Sequence, residues 1–214
     1  MKIVLAALIT TTVFTSALAE QSFSLYGGMQ EAADGTAEVV DVDGSKYELD
    51  LSWEGKSFDN PKYYGIRYTN FVSDDWGYAV DFVHSKVYST DETRANAGYK
   101  VLEFTDGINV LTLNGVRRFD AIGGFRPYVG AGLGISEPHV ELWSPAMSKS
   151  TFEYQFGGLA ATTFAGASYA ISDHWSVFGE AKFDYSMIDV KMDTGTFKTD
   201  VLTQAFNMGL SYSF

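Results

Sequence analysis

Residues 201–214, VLTQAFNMGLSYSF, alternate between two kinds of side chain with a period of two. The first set is mostly large and apolar: Leu202, Gln204, Phe206, Met208, Leu210, Tyr212 and Phe214. The second set is small and mostly polar: Thr203, Ala205, Asn207, Gly209, Ser211 and Ser213. This period predicts a β-strand with one apolar and one polar face. In a soluble sandwich the apolar face would pack on a core, whereas in a membrane barrel it would contact lipid.

The N-terminus favours the membrane barrel because it carries an export signal. Residues 1–19 combine a charged start at Lys2, an apolar run over residues 3–8 and the cleavage pattern Ala17-Leu18-Ala19. This is the composition of a secretory signal peptide. We therefore predict a signal peptide over residues 1–19 and a single mature domain over residues 20–214.

The composition excludes several classes of protein. No stretch after the signal peptide approaches the ~20 apolar residues of a spanning helix, although aromatic residues make up 15% of the chain and 21 residues are glycine. The chain has no cysteine, so it has no disulfide or thiolate chemistry. Its formal net charge of −12 argues against nucleic acid as a partner.

The alternating pattern recurs along the chain and predicts the strand count. We expect spanning strands at residues 22–30, 63–72, 76–88, 103–119, 126–143, 152–171, 174–191 and 200–214. The segments between them are alternately long and short, as in outer-membrane barrels with long external loops and short periplasmic turns. Residues 47–53 also alternate, and we assign them to the first external hairpin. The prediction is an all-β fold, an eight-stranded antiparallel up-and-down transmembrane barrel.

Charged residues on the predicted inward faces indicate a filled lumen. Glu180, Lys182 and Asp184 lie opposite the apolar face of the seventh strand, and the second and third strands contribute Arg67 and Asp81 from across the lumen. Eight strands enclose a space that side chains can fill, and unpaired buried charges would be costly. We expect these residues to pair with one another rather than to line an open pore.

Polar residues also continue the lipid-facing side of three neighbouring strands. The apolar face of residues 76–82 leads into His84, and that of residues 129–135 leads into His139 and Glu141. The strand between them places Glu103 at the same external end. Imidazoles and carboxylates at sugar-headgroup height could act as acids and bases or bind a divalent metal. We predict His84, Glu103, His139 and Glu141 as catalytic residues, with His84, His139 and Glu141 as metal ligands; ordinary interfacial polarity is the alternative.

Several motifs together resemble the lipid A oxidase family of outer-membrane barrels. They are WEGKSF at residues 53–58, YGIR at 64–67, FTDG at 104–107, PYVGAG at 127–132 and PHVE at 138–141. The PYVGAG motif is common to many small barrels. The resemblance implies oxygen-dependent oxidation of the proximal glucosamine of lipid A to an aminogluconate unit, with hydrogen peroxide formed.

The resemblance also implies partners and a location. The final strand, which ends on Phe214, resembles the C-terminal signal strand of outer-membrane barrels, so we expect recognition by the barrel assembly machinery. Lipid A or lipopolysaccharide is the expected substrate, in the outer membrane of a Gram-negative bacterium, and a divalent metal ion is the candidate cofactor. The alternative is a non-catalytic OmpA-like barrel with a structural or adhesive role.

Overall fold

The computed structural model describes residues 20–60, 62–145, 147 and 149–214, so the predicted signal peptide lies outside the described residues. These residues form one antiparallel sheet and one short helix. The strands are β1 (Glu20–Ala32), β2 (Gly35–Asp41), β3 (Lys46–Leu51), β4 (Trp53–Glu54), β5 (Tyr64–Phe71), β6 (Trp76–Ser89), β7 (Val101–Arg118), β8 (Phe125–Trp143), β9 (Thr151–Tyr154), β10 (Gly158–Ala170), β11 (Trp175–Met192) and β12 (Gly195–Ser213), and the helix is α1 (Asp91–Ala97).

Eight of the strands close into a ring. The order is β1-β5-β6-β7-β8-β10-β11-β12, and β12 pairs with β1 in an antiparallel register that sets Leu25 opposite Leu210. The predicted closure of the first strand on the last is therefore confirmed. One end of the ring has short turns and holds the start of β1 and the end of β12; we call it the short-turn end. The opposite end is the long-loop end.

The outer wall of the ring is apolar in a band around its middle. Outward side chains are exposed and large on every side of the ring, including Leu25, Ile66, Val80, Leu113, Leu133, Leu159, Phe183 and Phe206. On β6 the band ends at Phe82, and on β8 it ends at Ile135. In the described residues, no helix is both long and apolar enough to cross a membrane.

The inner wall near the short-turn end carries the predicted charge network. Arg67 donates to both oxygens of Glu180, at 2.8 and 2.9 Å, and to Asp81 at 3.1 Å. The Lys182 ammonium lies 2.8 Å from Asp81 and 3.3 Å from Asp184. All five side chains are buried, so the expected pairing across the lumen is confirmed.

The inner wall near the long-loop end is instead a hydrophobic core, which the sequence did not lead us to expect. Its fully buried side chains come from the ring and from the segments above it, and include Val39, Leu51, Val87, Leu102, Phe104, Ile108, Val140, Leu142, Val190 and Phe197. These residues alternate with the outward set, so the same period that makes the outer wall fills the interior. Burying this much apolar surface stabilises the part of the ring that extends beyond the apolar band.

The first long segment adds a hairpin to the ring. β2 pairs with the long-loop end of β12, and β3 pairs with β2. β3 covers most of the predicted strand at residues 47–53, and it lies in the first hairpin rather than in the ring, as predicted. β4 pairs with the end of β6 and occupies the column above the short strand β5.

Three predicted boundaries were wrong. The strand expected at residues 152–171 is broken into β9 and β10, because residues 155–157 lie opposite only residues 137–138 of β8 and this extra residue interrupts the ladder. The loop expected at 89–100 contains α1, which Thr90 caps and Gly98 ends in the left-handed conformation. The loop expected at 193–198 is a tight turn, because Phe197 and its neighbours extend β12 into the hydrophobic core.

We predict that the charge network is essential for stability. Replacing Lys182 with Met leaves Asp81 and Asp184 buried without their cation, which should cost about 3–5 kcal/mol. The measurement is the urea midpoint of the refolded protein in detergent micelles.

The matched control is Lys198→Met, because Lys198 pairs with Asp189 on the exposed surface. This variant should unfold close to the wild-type midpoint. Equal midpoints for Lys182→Met and Lys198→Met would contradict the role assigned to the network.

Candidate functional site

The candidate site is built around an irregularity in β7. Glu103 is the register partner of Glu141, and Ile108 is the partner of Pro138, so four residues of β7 face two residues of β8. Gly107, within this β-bulge, has a left-handed φ of 83°. Because the two extra residues are an even number, the alternation of side chains is the same on both sides of the bulge. Glu103 therefore shares the outer face with Glu141.

His84 lies on the outer wall of β6 against this bulge, and its side chain is buried. Its ring stacks on Tyr64 with 5.5 Å between centroids. Nδ1 lies 2.8 Å from the Asn109 side-chain oxygen, which can only accept, so Nδ1 donates. In a neutral ring Nε2 is then an acceptor, and within the described residues this buried atom has no hydrogen-bond partner.

His139 lies on the outer wall of β8, on the other side of the bulge, and is also buried. Its Nε2 is 3.6 Å from a carboxylate oxygen of Asp106. The edges of Phe152 and Tyr154 cover the ring, with centroids 4.5 and 4.7 Å away. Its Nδ1 is buried without a hydrogen-bond partner in the described part of the chain. The two histidines thus lie on either side of the Asp106-Gly107 bulge.

The two predicted carboxylates lie beyond the histidines, farther from the apolar band. Glu103 is half-buried between Tyr88 and Glu141, its register partners on β6 and β8. Carboxylates directly opposite one another repel. Lys86, fully buried on the same outer face, is close enough for the charges of Glu103 and Asp106 to act on its ammonium group.

Burial changes the proton affinity of two side chains beyond Phe82, where β6 has left the apolar band. It lowers the pKa of Lys86, against the opposing effects of the carboxylates of Asp106 and Glu103. Burial, and then the charge of Glu103, raises the pKa of Tyr88 to about 12. At neutral pH the Tyr88 hydroxyl is therefore protonated and can donate a hydrogen bond.

The described residues contain no group of three or more His, Cys, Asp or Glu side chains arranged to hold a metal ion. A metal bound by His84, His139 and Glu141 would need these side chains to rearrange. That ligand set stays a prediction. The preformed features are the two imidazoles, Asp106, and the Glu103–Glu141 pair.

Three of the motifs that carry the family resemblance meet at this wall. WEGKSF forms β4 and the turn after it, with Glu54 paired to Tyr88 and the Lys56 ammonium 4.7 Å from the Tyr88 ring centroid. FTDG is the bulge, and PHVE is the part of β8 that carries His139. Segments far apart in the sequence are thus brought to one place on the outer wall.

Sequence reasoning missed Asp106, Lys86 and Tyr154. Asp106 had a usable signal, because Asp-Gly inside an otherwise alternating strand indicates a turn or a bulge. Lys86 and Tyr154 had none, since their positions depend on the cover formed by β4 and on the separate strand β9. The remaining histidine, His174, is exposed at the short-turn end, where its Nδ1 contacts the Ser213 carbonyl at 2.9 Å.

We predict that Gly107 is required for the geometry of the site. A Cβ atom there would lie 2.6 Å from the His84 ring and 2.7 Å from the Ser85 carbonyl oxygen, and φ is 83°. Gly107→Ala should lower the urea midpoint and shift the His84 ring resonances in NMR spectra.

The control is Gly44→Ala, because Gly44 has a φ of 85° but open space around it. The left-handed conformation alone should cost about 1–2 kcal/mol, so Gly44→Ala measures that cost without the clash. The His84 resonances should be unchanged in this control. A Gly107→Ala protein with unchanged stability and unchanged His84 resonances would contradict the packing described here.

Comparisons with known proteins agree with this architecture. The family model for the outer membrane protein beta-barrel domain matches residues 4–214. OprG of Pseudomonas aeruginosa is 18% identical over 90% of this chain and 95% of its own, with a TM-score of 0.52. Neisserial surface protein A is 15% identical over 91% of this chain and 97% of its own, with a TM-score of 0.50. No curated protein matches the sequence.

The family match gives the ring an orientation and a location. Proteins of this kind span the outer membrane of Gram-negative bacteria with their apolar band in lipid, short turns in the periplasm and long loops outside. The long-loop end is therefore external, and the candidate site lies on the lipid-facing side just above the apolar band. The chain belongs to the outer membrane protein β-barrel domain family.

Proposed function

We propose that this protein is an outer-membrane enzyme that oxidises the proximal glucosamine of lipid A to an aminogluconate unit. The resemblance in WEGKSF, FTDG and PHVE suggests the reaction. The position of the site above the apolar band supports the substrate, because the sugars of outer-leaflet glycolipids lie at that height. The fold alone supports neither, since small barrels serve many functions.

The observation that carries the proposal is the pair of buried imidazoles with unpartnered nitrogens. His84 presents Nε2, and His139 presents Nδ1, on opposite sides of the bulge that carries Asp106. Buried polar atoms are rarely left without partners, and those that are need an explanation. A substrate hydroxyl that reaches either nitrogen would satisfy it.

The proposed reaction is a two-electron oxidation at the anomeric carbon of the sugar. The C1–H and O–H bonds break and a C=O bond forms, which gives a lactone. Molecular oxygen takes up the two electrons and two protons and becomes hydrogen peroxide, and water then opens the lactone to the acid. The protein must therefore remove the hydroxyl proton and position the sugar next to the oxygen molecule.

The side chains can be given roles in this scheme. His84 Nε2 is the base for the hydroxyl proton, because its Nδ1 is held as a donor by Asn109. Asp106, whose carboxylate lies 3.6 Å from His139 Nε2, can orient that ring for proton transfer. Glu103 and Glu141 are acceptors for further sugar hydroxyls. The ring of Tyr64, which stacks on His84, must move aside to admit the substrate.

The second candidate is a non-catalytic structural or adhesive barrel, and one observation favours it. The interior holds a charge network and, above it, a hydrophobic core, and both lie above a cavity at the short-turn end. Such a rigid body suits a scaffold that displays α1 and the β2–β3 hairpin at the cell surface.

Mass spectrometry of lipid A separates the two candidates. Cells that carry the gene should contain lipid A with one additional oxygen atom on the proximal sugar, and cells without it should not. The product should also require oxygen during growth. If wild-type cells lack this product, the enzyme proposal is wrong and the structural barrel is the remaining candidate.

Single replacements then test the site at equal amounts of folded barrel. His84→Ala or His139→Ala should lower the oxidised fraction, by about a hundredfold or more for a lost general base. The control is His174→Ala, since His174 lies at the short-turn end. If both variants match the wild-type product, the histidine site is wrong even if the protein is an oxidase.

A further inference from the structure

β9 and the turn after it present a strip of aromatic side chains on the outer wall next to His139. Phe152, Tyr154 and Phe156 are 60%, 48% and 64% exposed. Tyr154 is the register partner of His139, and Phe152 is the partner of Glu141. Large exposed apolar groups in a cluster usually mark a binding surface.

The aromatic strip continues the lipid-facing band upward. The band on this side ends at Leu159 and Ile135, which are register partners and are 65% and 43% exposed. Phe152 lies at the level of Glu141, six residues farther along β8 than Ile135. At ~3.3 Å per residue this is roughly 20 Å along the strand, a distance that runs through the headgroup layer.

The strip is held in place at both edges. The Gln155 side chain donates to the Lys191 carbonyl and accepts from the Lys191 amide, both at 2.9 Å, so it substitutes for backbone pairing with β11. The Gln155 amide donates to the Pro138 carbonyl at 3.1 Å, and the Tyr154 hydroxyl donates to the Asp106 carbonyl at 3.4 Å. Rings on a fixed support lose little entropy when a ligand binds.

Polar acceptors lie next to the aromatic strip. Glu137 is exposed just above Ile135, Glu141 is half-buried beside Phe152, and the Asp106 carboxylate faces His139. Aromatic faces are electron-rich and attract the weakly positive C–H bonds of a sugar ring, while carboxylates accept from its hydroxyls. A plain acyl chain has no hydrogen-bond donor that could pair with these carboxylates.

We propose that Phe152, Tyr154 and Phe156 form a stacking platform for the sugar headgroup of an outer-leaflet glycolipid, whose acyl chains stay on the band at Leu159 and Ile135. The occupant is chosen because the strip is continuous with the lipid-facing surface and is flanked by hydroxyl acceptors. The identity of the sugar rests on the proposed function, but the platform binds the headgroup whether or not oxidation follows.

The test measures binding to the full-length protein in detergent micelles, without a readout of oxidation. The probes are lipid A, its fully deacylated glucosamine disaccharide, and a sugar-free phosphatidylethanolamine. Wild-type protein should bind lipid A and the disaccharide. Phe152→Ala should weaken binding of both by about tenfold, and Phe152→Tyr, which keeps a ring, should restore it.

The matched control is Phe206→Ala, because Phe206 is 73% exposed on the lipid-facing band away from the strip. It should bind the disaccharide as the wild type does. Folding of every variant is checked by heat-dependent migration in gels, and Phe152→Tyr keeps the test decisive if Phe152→Ala does not fold.

Three outcomes would overturn the platform. Unchanged disaccharide binding in Phe152→Ala excludes stacking on this ring. Equal binding of lipid A and phosphatidylethanolamine, without disaccharide binding, assigns the strip to acyl chains. If light scattering shows a dimer that becomes a monomer in Phe152→Ala, the aromatic strip is a contact with a second copy of the chain. Loss of binding in Phe152→Ala without any oxidised lipid A would leave the platform intact and remove only the oxidase.

Discussion

The pairing of β1 with β12 is the constraint on which the rest of the structure depends. In hydrocarbon no water can satisfy an exposed strand edge, so the sheet must close before any strand can remain in the membrane. Closure at eight strands makes the interior narrow. Every residue that points inward must then fit among the side chains of seven other strands, which explains why both the charges and the apolar groups of the inner wall are paired or packed.

Inward-facing side chains are accommodated in two ways along the length of the barrel. Near the short-turn end, Arg67 and Lys182 neutralise buried carboxylates. Near the long-loop end, side chains such as Phe104 and Phe197 form a hydrophobic core outside the membrane. The cavity that remains in the interior lies at the short-turn end. On the external side, the outer wall and the loops are therefore the surfaces left for function, and the polar cluster next to the bulge of β7 is the part of that wall with unusual chemistry.

The bulge connects fold and site. Its two extra residues bring the Asp106 carboxylate up to His139 and press Gly107 against His84. The aromatic strip beside His139 exists because β9 is separate from β10 and can follow the upper part of β8. The surroundings of the proposed catalytic histidines and the position of the proposed sugar platform thus both depend on irregularities in neighbouring strands. This explains why the histidines and the platform lie on one side of the barrel.

The sequence by itself determined whatever depends on a period of two: the ring strands, the lipid-facing band, the inward charges from Arg67 to Asp184, and the outward direction of His84 and His139. Only the tertiary structure decided what depends on an irregularity or on contacts between distant segments. A bulge with one extra residue would have turned the Glu103 side chain to the inner wall. The observed length of two extra residues is set by the pairing of β7 with β6 and β8. The burial of both histidines likewise comes from Tyr64, Phe152 and Tyr154, because periodicity specifies a face but not what covers it.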